Sequence, residues 1–317
     1  MKKIIITAVV LFVSLSYGWT LGKYGEMEFK KYAKNLYILH GPAVEPNVEN
    51  EGFMNNPALI ESKSGLIVVD PGGNYNVGKK ILAEIEKISK KPIIAVLNTH
   101  KHGDHWFANR AIKEKYPKVK IYAHPNMIKE VKAGEAKKWY EILERLSKNL
   151  KGTKPFAFPA MELKDGQKLN IDGEVFVIHH PKRAHTDTDL LIEHKNTNTL
   201  FLGDNVMVNR LGGFDESSSI LGNIELLKGI MKDGKFALYV PGHGPSGDKN
   251  STVGVFLKYL EVIANEAKRA YEDEKEYYEA KEPAKKRLKE YLNWDAFNRQ
   301  MGKHLNKVYR EIEEADL

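Results

Sequence analysis

The most informative absence in this chain of 317 residues is cysteine, which does not occur at all. Without cysteine the chain forms no disulfide bonds and carries no lipid anchor attached through a thiol. Stability must therefore come from a buried apolar core. Any metal site must form without thiolate ligands, because the chain has none to offer.

The chain also has little that points to nucleic acid or to disorder. It contains no low-complexity tract, no obvious short repeat and no basic block interleaved with aromatic residues. The formal net charge is +7, but the positive side chains alternate with Glu and Asp, which predicts a solvated surface of mixed charge rather than a nucleic-acid interface. A hydrophobic fraction of 42% and a charged fraction of 29% are typical of a globular protein of one large domain or two ordinary ones.

Long apolar runs are scarce, and the clearest one lies at the start of the chain. Lys2-Lys3 precedes an apolar run from Ile4 to Leu15, and Ser16-Tyr17-Gly18 follows it. This order predicts a secretory signal peptide over residues 1–18, cleaved near Gly18, and hence export, with the periplasm as the expected location. The run is shorter than the roughly 20 residues that a membrane span needs, so we expect no stable span after cleavage. An uncleaved N-terminal anchor is the alternative.

Metal-binding side chains are concentrated in one short stretch, Thr99-His100-Lys101-His102-Gly103-Asp104-His105. It follows the apolar run 93–97, which predicts a buried strand. Other predicted strands also end in residues that bind metals, and loops at strand ends are where α/β scaffolds place chemistry. These residues are Asp70, His185, Asp204 and His243. The sequence therefore predicts a metal centre built from several strand-end loops.

The pattern His-x-His-x-Asp-His, followed by a distant His, then Asp, then His, resembles the metallo-β-lactamase superfamily. The resemblance covers about residues 25–250. It implies an α/β fold, the αββα sandwich of that superfamily, with a two-metal site at one edge. We therefore expect a catalytic domain over residues 19–250. An apolar stripe between Val253 and Ala267 predicts that residues 251–317 form a helical C-terminal extension.

The resemblance also implies a role for each ligand. The residues that would hold the first metal are His100, His102 and His185. The residues that would hold the second metal are Asp104, His105 and His243, with Asp204 as the bridge between the two. Asp70 would lie behind the ligands and orient one of them. The expected cofactor is zinc, two ions per chain, although imidazole and carboxylate ligands also suit iron or manganese. Asp104 is expected to act in catalysis by orienting the attacking hydroxide and carrying its proton.

Three further residues are candidates for contacts with the substrate. Arg210 and Arg183 lie near predicted ligand loops, where either could bind a substrate carboxylate through two hydrogen bonds, with a surface position as the alternative. Phe53 lies on a long predicted loop and could line the pocket or pack in the core. The histidines outside the ligand pattern that are expected to be surface or packed residues are His40, His124, His194 and His304.

The expected reaction depends on the branch of the superfamily that the sequence resembles. The segment 202–247 looks like that of zinc β-lactamases with a cysteine ligand, but Asp204 replaces the cysteine and Met207 replaces a basic residue. An aspartate bridge is instead similar to glyoxalase-II-like thioesterases and lactonases. We therefore predict an exported dinuclear zinc-dependent hydrolase that uses a metal-bridging hydroxide on a small molecule. The expected bond is of the carbonyl type, in a thioester, a lactone, an ester or a β-lactam amide.

Other interpretations stay open at this point. They are an iron-dependent sulfur dioxygenase or redox enzyme on the same fold, a β-lactamase proper, and a binding protein without activity. The C-terminus, with Trp294, Phe297 and the stretch 304–313, resembles exported zinc metallohydrolases associated with quinoprotein-relay and sulfur-oxidation gene clusters. A helical cap or a contact in a homo-oligomer is the other interpretation of this region.

Overall fold

The computed structural model describes residues 18–316, so the predicted signal peptide lies outside the described residues except for Gly18. Within that range the chain forms fourteen strands and nine α-helices. The strands are β1 (Trp19–Thr20), β2 (Glu26–Met27), β3 (Lys30–Ala33), β4 (Leu36–Ile38), β5 (Ala58–Glu61), β6 (Leu66–Val69), β7 (Ile93–Leu97), β8 (Lys120–Ala123), β9 (Met161–Glu162), β10 (Lys168–Ile171), β11 (Glu174–His179), β12 (Leu191–His194), β13 (Thr199–Met207) and β14 (Leu238–His243). The helices are α1 (Tyr75–Ile88), α2 (Gly103–Trp106), α3 (Asn109–Lys115), α4 (Pro125–Glu130), α5 (Ala136–Ser147), α6 (Ile220–Asp233), α7 (Val255–Glu272), α8 (Lys281–Arg287) and α9 (Phe297–Asp316).

The first large sheet contains β3 to β9 in the order of the sequence. The strands from β3 to β6 pair antiparallel, whereas those from β6 to β9 pair parallel. A parallel pair needs a crossover connection, and α1 provides it between β6 and β7. The C-terminal ends of β6 and β7 therefore lie side by side at the same end of the sheet.

The second large sheet contains β10 to β14, again in sequence order. Its first four strands pair antiparallel, and β14 pairs parallel with β13 across the crossover helix α6. This parallel pair places the later residues of β13 beside the end of β14, with Met207 opposite His243. Two regions that are distant in sequence thus reach the same end of the sandwich.

The two sheets pack face to face. This packing explains why the sequence of β6 is apolar throughout. Alternate residues of a strand point to opposite faces of the sheet. Leu66 and Val68 contact the cluster beneath α1 and α3, while Ile67 and Val69 contact residues of the second sheet such as Phe176. All four β6 side chains are buried, as expected for a strand covered on both faces. With α6, α7 and α9 on the outer face of the second sheet, the fold is the predicted αββα sandwich.

Some elements end where the sequence did not predict. Asp204 does not follow a strand but lies inside β13, which continues to Met207. Gly203 has a φ of 53°, and the register with β14 shifts on both sides of it, so an irregular step carries the strand past the ligand. α4 and α5 are separate helices because Gly134, with a φ of 141°, interrupts the helical backbone between them. Pro283 lies in the first turn of α8, where its missing N–H is not needed.

The C-terminal helices share their core with the sandwich. One apolar cluster contains Leu200 of β13, Ile224 of α6, Leu260 of α7 and Leu305 of α9. The region after residue 250 is helical, as predicted, and it covers the outer face of the second sheet. Among residues 18–316, no helix has both the length and the apolar character that a membrane crossing requires.

Phe53 is a core residue, which corrects its candidacy as a substrate contact. Its side chain is fully buried, and its ring centroid lies 4.8 Å from that of Trp19. Both aromatic rings belong to the apolar cluster between the first sheet and α1. The long loop before β5 therefore contributes Phe53 to folding rather than to a pocket.

We expect Phe53→Ala to lower the free energy of unfolding by about 3–5 kcal/mol, because the truncation leaves a cavity beside Trp19. Phe53→Leu should lose less, since leucine refills part of the volume. Chemical denaturation followed by circular dichroism measures both changes. A wild-type unfolding midpoint for Phe53→Ala would contradict the core position.

Candidate metal centre

The predicted ligands converge at one end of the sandwich because parallel strand pairs deliver them there. Asp70 directly follows β6, and its backbone N–H donates to Leu97 O at the end of β7 over 3.1 Å. His102 precedes α2, and this short helix carries Asp104 and His105. The second sheet contributes three ligands. His185 lies in the loop after β11, Asp204 lies at the irregular step in β13, and His243 is the last residue of β14.

The first group of ligands consists of four buried residues whose ligand atoms all lie within 4.8 Å of one another, His100, His102, His185 and Asp204. His185 Nε2 lies 3.1 Å from His102 Nδ1. Asp204 Oδ2 lies 3.6 Å from His185 Nε2 and 3.9 Å from His100 Nε2. The nitrogen atoms thus converge on one point with a carboxylate oxygen beside them.

The second group has the same character, with four buried residues whose ligand atoms also lie within 4.8 Å, Asp104, His105, Asp204 and His243. His105 Nε2 lies 3.3 Å from His243 Nε2 and 3.1 Å from Asp204 Oδ1. His243 Nε2 lies 3.3 Å from Asp104 Oδ2 and 3.2 Å from Asp204 Oδ2. Asp204 belongs to both groups, and the structure brings together all seven residues that the sequence analysis named as ligands.

The donor atoms fit a divalent cation. Among the described residues, the buried His100 Nε2 and Asp204 Oδ1 have no hydrogen-bond partner. Buried polar atoms rarely stay unpartnered, because leaving one unpaired costs about 1–3 kcal/mol. Imidazole and carboxylate donors in two groups of four match the ligand chemistry of zinc, iron or manganese. The arrangement therefore supports binding of divalent metal ions.

Contacts behind the ligands decide which ring nitrogen of each histidine faces the centre. His105 Nδ1–H donates to Asp70 Oδ2 over 2.9 Å, and His243 Nδ1–H donates to Met54 O over 2.8 Å. Asp70 also accepts from the Thr99 backbone N–H at 2.9 Å and from its hydroxyl at 2.6 Å. These bonds leave Nε2 of both histidines directed at the centre, which is how second-layer partners orient metal ligands.

The charges inside the centre favour a cation. Burial lowers the pKa of His100 well below its ordinary value and that of His185 to about 3, so both imidazoles are neutral. Burial alone would lower the pKa of His105 too, but Asp204 and the other nearby carboxylates hold it well above its ordinary value. Burial disfavours the ionised form of Asp204, yet His243 and His105 keep its pKa well below the ordinary value. The centre thus holds ionised carboxylate beside the neutral imidazoles of His100 and His185, while His105 carries a proton that a bound cation would displace.

A buried lysine, Lys101, forms hydrogen bonds to residues beside the first ligand group. Lys101 Nζ donates to Glu130 over 2.8 Å, to Asp187 over 3.1 Å and to Ser217 Oγ over 2.9 Å. Burial opposes its charge, but the hydrogen bond to Glu130 and the nearby carboxylates raise the pKa of Lys101 to about 12. Asp215 lies 4.0 Å from the ammonium and 3.7 Å from His102 Nε2. Lys101 therefore anchors the surroundings of His102.

A pocket of about 220 Å³ opens over the metal ligands. Its walls are largely apolar and include Trp139, Ile142, Phe214 and Met54. The Trp139 ring lies 4.4 Å from the His102 ring. No spacing in the sequence pointed to Trp139, Phe214 or Asp215, because α5 and the residues after β13 reach the centre only through tertiary packing.

The two candidate arginines differ in position. Arg210 is buried, lines the pocket and lies with its Nη1 3.2 Å from His243 Nδ1 and 3.0 Å from Met54 Sδ. Its Nε has no partner among the described residues. Arg183 instead donates to the backbone oxygens of Ser217 at 3.0 Å and Glu216 at 2.7 Å, and it does not line this pocket. The structure brings Arg210 to the centre and leaves Arg183 outside it.

Comparison with known proteins agrees with this geometry. Residues 50–247, more than half of the chain, match the family described as the metallo-beta-lactamase superfamily. The chain belongs to the metallo-β-lactamase superfamily. The matched residues include all seven ligands of the two groups.

Particular relatives cover different parts of the chain. A linear primary-alkylsulfatase of Pseudomonas sp. is 40% identical over 23% of this chain and 15% of its own length. A hydroxyacylglutathione hydrolase of Francisella tularensis is 27% identical over 61% of this chain and 64% of its own length. A solved sec-alkylsulfatase from Pseudomonas sp. superposes with a TM-score of 0.68 at 16% identity, over 90% of this chain and 50% of that one. The chain thus spans less than two thirds of each of these relatives.

We expect Asp70→Asn to weaken metal binding about 10–100-fold, because the amide lacks the charge that orients His105. Asparagine tolerates the left-handed backbone at this position, where φ is 46°, so the change tests charge rather than strain. Competition with a zinc chelator measures the affinity.

Asp172→Asn is the matched control for this variant. Asp172 also has a left-handed backbone, with a φ of 51°, and it accepts hydrogen bonds from Ser62 and Ser64 at 2.8 and 2.9 Å. It belongs to neither ligand group, so its variant should bind metal like the wild type. Equal affinities for Asp70→Asn and Asp172→Asn would contradict the role of Asp70.

Proposed function

We propose that this protein is an exported zinc-dependent hydrolase with a dinuclear centre that cleaves a carbonyl-type bond in a small molecule. The observation that carries the proposal is the position of Asp204, whose carboxylate belongs to both ligand groups. A carboxylate shared in this way can bind two cations at once, and two cations about 3.5–4 Å apart are the arrangement that assists hydrolysis in two-metal sites. Export rests on the pattern of residues 1–18 alone.

When bound, two zinc ions would polarise the substrate oxygen and lower the pKa of a water molecule to about 7. The remaining tasks belong to side chains of the chain. Burial raises the pKa of Asp104, but His105 and His243 outweigh burial and keep this carboxylate ionised. Because Asp104 lines the pocket, we propose that it orients the attacking water and holds its proton until the leaving group departs.

Substrate selection is assigned to Arg210 and the apolar walls. A buried guanidinium without a carboxylate partner among residues 18–316 is suited to bind an anionic group of the substrate. Trp139, Ile142 and Phe214 would hold an acyl or alkyl part. A thioester, lactone or ester with a nearby carboxylate combines both features, and the hydroxyacylglutathione hydrolase relative supports a thioester among these. We place β-lactam amides as a side activity, because Met207 stands where β-lactamases of the cysteine type carry a basic residue.

Sulfate esters are the second candidate class of substrate. The superposition with the sec-alkylsulfatase covers 90% of this chain. The uncovered tenth is smaller than the region after residue 250, so the superposition includes part of the C-terminal helices. The primary-alkylsulfatase supports the same class through its 40% identity, although only over 23% of the chain. An alkyl sulfate also combines an anionic group with an apolar tail, which the pocket could accommodate.

The decisive experiment is metal analysis followed by a hydrolysis panel on zinc-loaded protein. We expect two zinc ions per chain and turnover of a thioester, lactone or ester. Asp104→Asn keeps only a neutral amide oxygen as ligand, so it should bind zinc more weakly and still lose turnover about 100-fold or more when saturated with zinc. His243→Ala should lose metal and activity together. Turnover of alkyl sulfates alone would favour the second candidate class. One iron per chain with oxygen consumption, or no turnover of any substrate by metal-loaded protein, would overturn the proposal.

Substrate charge is tested separately with Arg210→Ala. We expect KM for a carboxylate-bearing ester to rise about 10–100-fold, since a hydrogen bond to a charged group contributes about 1.5–3 kcal/mol. KM for a neutral ester of similar size should change little, and Arg210→Lys should restore part of the loss. Steady-state kinetics on the two esters measure the difference. An equal effect on both would contradict recognition of the anion by Arg210.

A further inference from the structure

We propose that α9 positions the 208–219 loop, the segment between β13 and α6, over the metal pocket through His304 and Glu311. The loop supplies Arg210, Gly212, Gly213, Phe214 and Asp215 to the pocket lining. Its link to substrate binding rests on the function proposed above, whereas its link to metal binding does not require turnover. The C-terminal helices would thus help to build the site in addition to covering the sheet.

His304 holds the middle of the 208–219 loop. Its side chain is 1% exposed, and its Nε2–H donates to Gly212 O over 2.9 Å. Because a carbonyl oxygen only accepts, Nε2 carries the proton of the neutral ring, and the Tyr259 hydroxyl of α7 donates to Nδ1 over 2.8 Å. Burial lowers the pKa of His304 to about 4, in keeping with a neutral ring. Both ring nitrogens are therefore used, one for the loop and one for the neighbouring helix.

Phe214 carries this contact to the metal ligands. Its ring lies 5.1 Å from the His304 ring on one side and 5.6 Å from the His185 ring on the other, in edge-on arrangements. His185 has no hydrogen-bond partner for Nδ1 among the described residues. Packing against Phe214 therefore adds a restraint to a ligand ring whose Nδ1 no hydrogen bond holds.

Glu311 holds the end of the 208–219 loop, where α6 begins. Its carboxylate accepts hydrogen bonds from the backbone N–H groups of Ile220 and Leu221 and from the Ser219 hydroxyl, each at 3.0 Å. An anionic group at a helix N-terminus satisfies unpaired N–H groups and interacts favourably with the helix dipole. The adjacent Ser218 hydroxyl donates to His185 O over 2.6 Å. The Glu311 carboxylate is thus connected to the metal ligand His185 through Ser219 and its neighbour Ser218.

A third attachment secures the start of the 208–219 loop. Leu211 N–H donates to Asp295 O, and Asp295 N–H donates to Asn209 O, each over 3.0 Å. The Asp295 side chain also accepts from the Glu45 backbone N–H at 2.8 Å. Residues 295, 304 and 311 therefore hold the loop at three points along its length, all from outside the two sheets.

The attachment is asymmetric with respect to the two ligand groups. The part of the loop held by His304 and Glu311 approaches the ligands through Phe214 at His185, Asp215 at His102 and Ser218 at His185 O. Both ligands belong to the first group. Loosening this part of the loop should therefore weaken the binding of the metal ion in the first group, while the metal ion in the second group stays bound.

The test compares His304→Asn with His304→Gln. The Gln amide reaches roughly the position of Nε2 and can still donate to Gly212 O, whereas the Asn amide replaces only Nδ1. For His304→Asn we expect one of two zinc ions to bind about 10–100-fold more weakly in chelator competition. We also expect faster hydrogen exchange in residues 208–219 and a rise in KM larger than the change in kcat. His304→Gln should restore all three properties toward the wild type.

Two controls separate positioning from stability. Ile263→Ala opens a cavity in the apolar cluster shared by α7 and α9 without removing a polar group, so it should lower the unfolding midpoint but leave loop exchange and zinc affinity unchanged. Glu314→Ala removes an exposed α9 carboxylate and should be silent, whereas Glu311→Ala should behave like His304→Asn. The proposal is overturned if His304→Asn and His304→Gln are equivalent, or if Ile263→Ala reproduces the loop effect. Because exchange and zinc affinity need no substrate, they decide the proposal even if the hydrolase function fails.

Discussion

The structure depends most on the burial of one carboxylate, that of Asp204, among imidazole rings. Removing an ionised carboxylate from water is costly unless cations or hydrogen bonds replace the lost hydration. Here the surroundings are nitrogen atoms from both sheets, with His105 and His243 at 3.1 and 3.2 Å. The buried carboxylate therefore needs positive charge, such as a metal ion, between its oxygen atoms and the surrounding nitrogen atoms. Metal binding and the stability of this end of the sandwich are therefore coupled.

The backbone meets this demand with two parallel strand pairs. The pair β6 and β7 brings Asp70 next to Thr99, and the pair β13 and β14 brings Asp204 next to His243. Because the sheets pack face to face, the two ends meet and the ligand groups share one carboxylate. The irregular step at Gly203 contributes to the same arrangement. It lets β13 carry the ligand Asp204 in its interior and still continue to Met207.

Much of the fold and of the ligand set was predictable from the sequence. The apolar run of β7 predicts a buried strand, and the pattern from His100 to His105 predicts a metal loop by its chemistry alone. No sequence pattern indicated that Lys101 lies beside Asp215 or that Trp139 lies over His102. Those contacts join residues far apart in the chain, and side chains such as Lys and Trp have ordinary roles at most positions. Phe53 shows the converse, because an aromatic residue on a long loop is equally compatible with a pocket and with a core.

The sequence by itself determined which atoms are present to bind metal, in what order along the chain, and which segments are apolar enough to form buried strands. It did so because ligand chemistry and side-chain periodicity are local properties. Only the tertiary structure decided that Asp204 belongs to both groups, that Arg210 and not Arg183 reaches the pocket, and that α9 touches the loop above the ligands. These outcomes depend on how the two sheets and the C-terminal helices pack against one another, and no local pattern specifies a distance between residues a hundred positions apart.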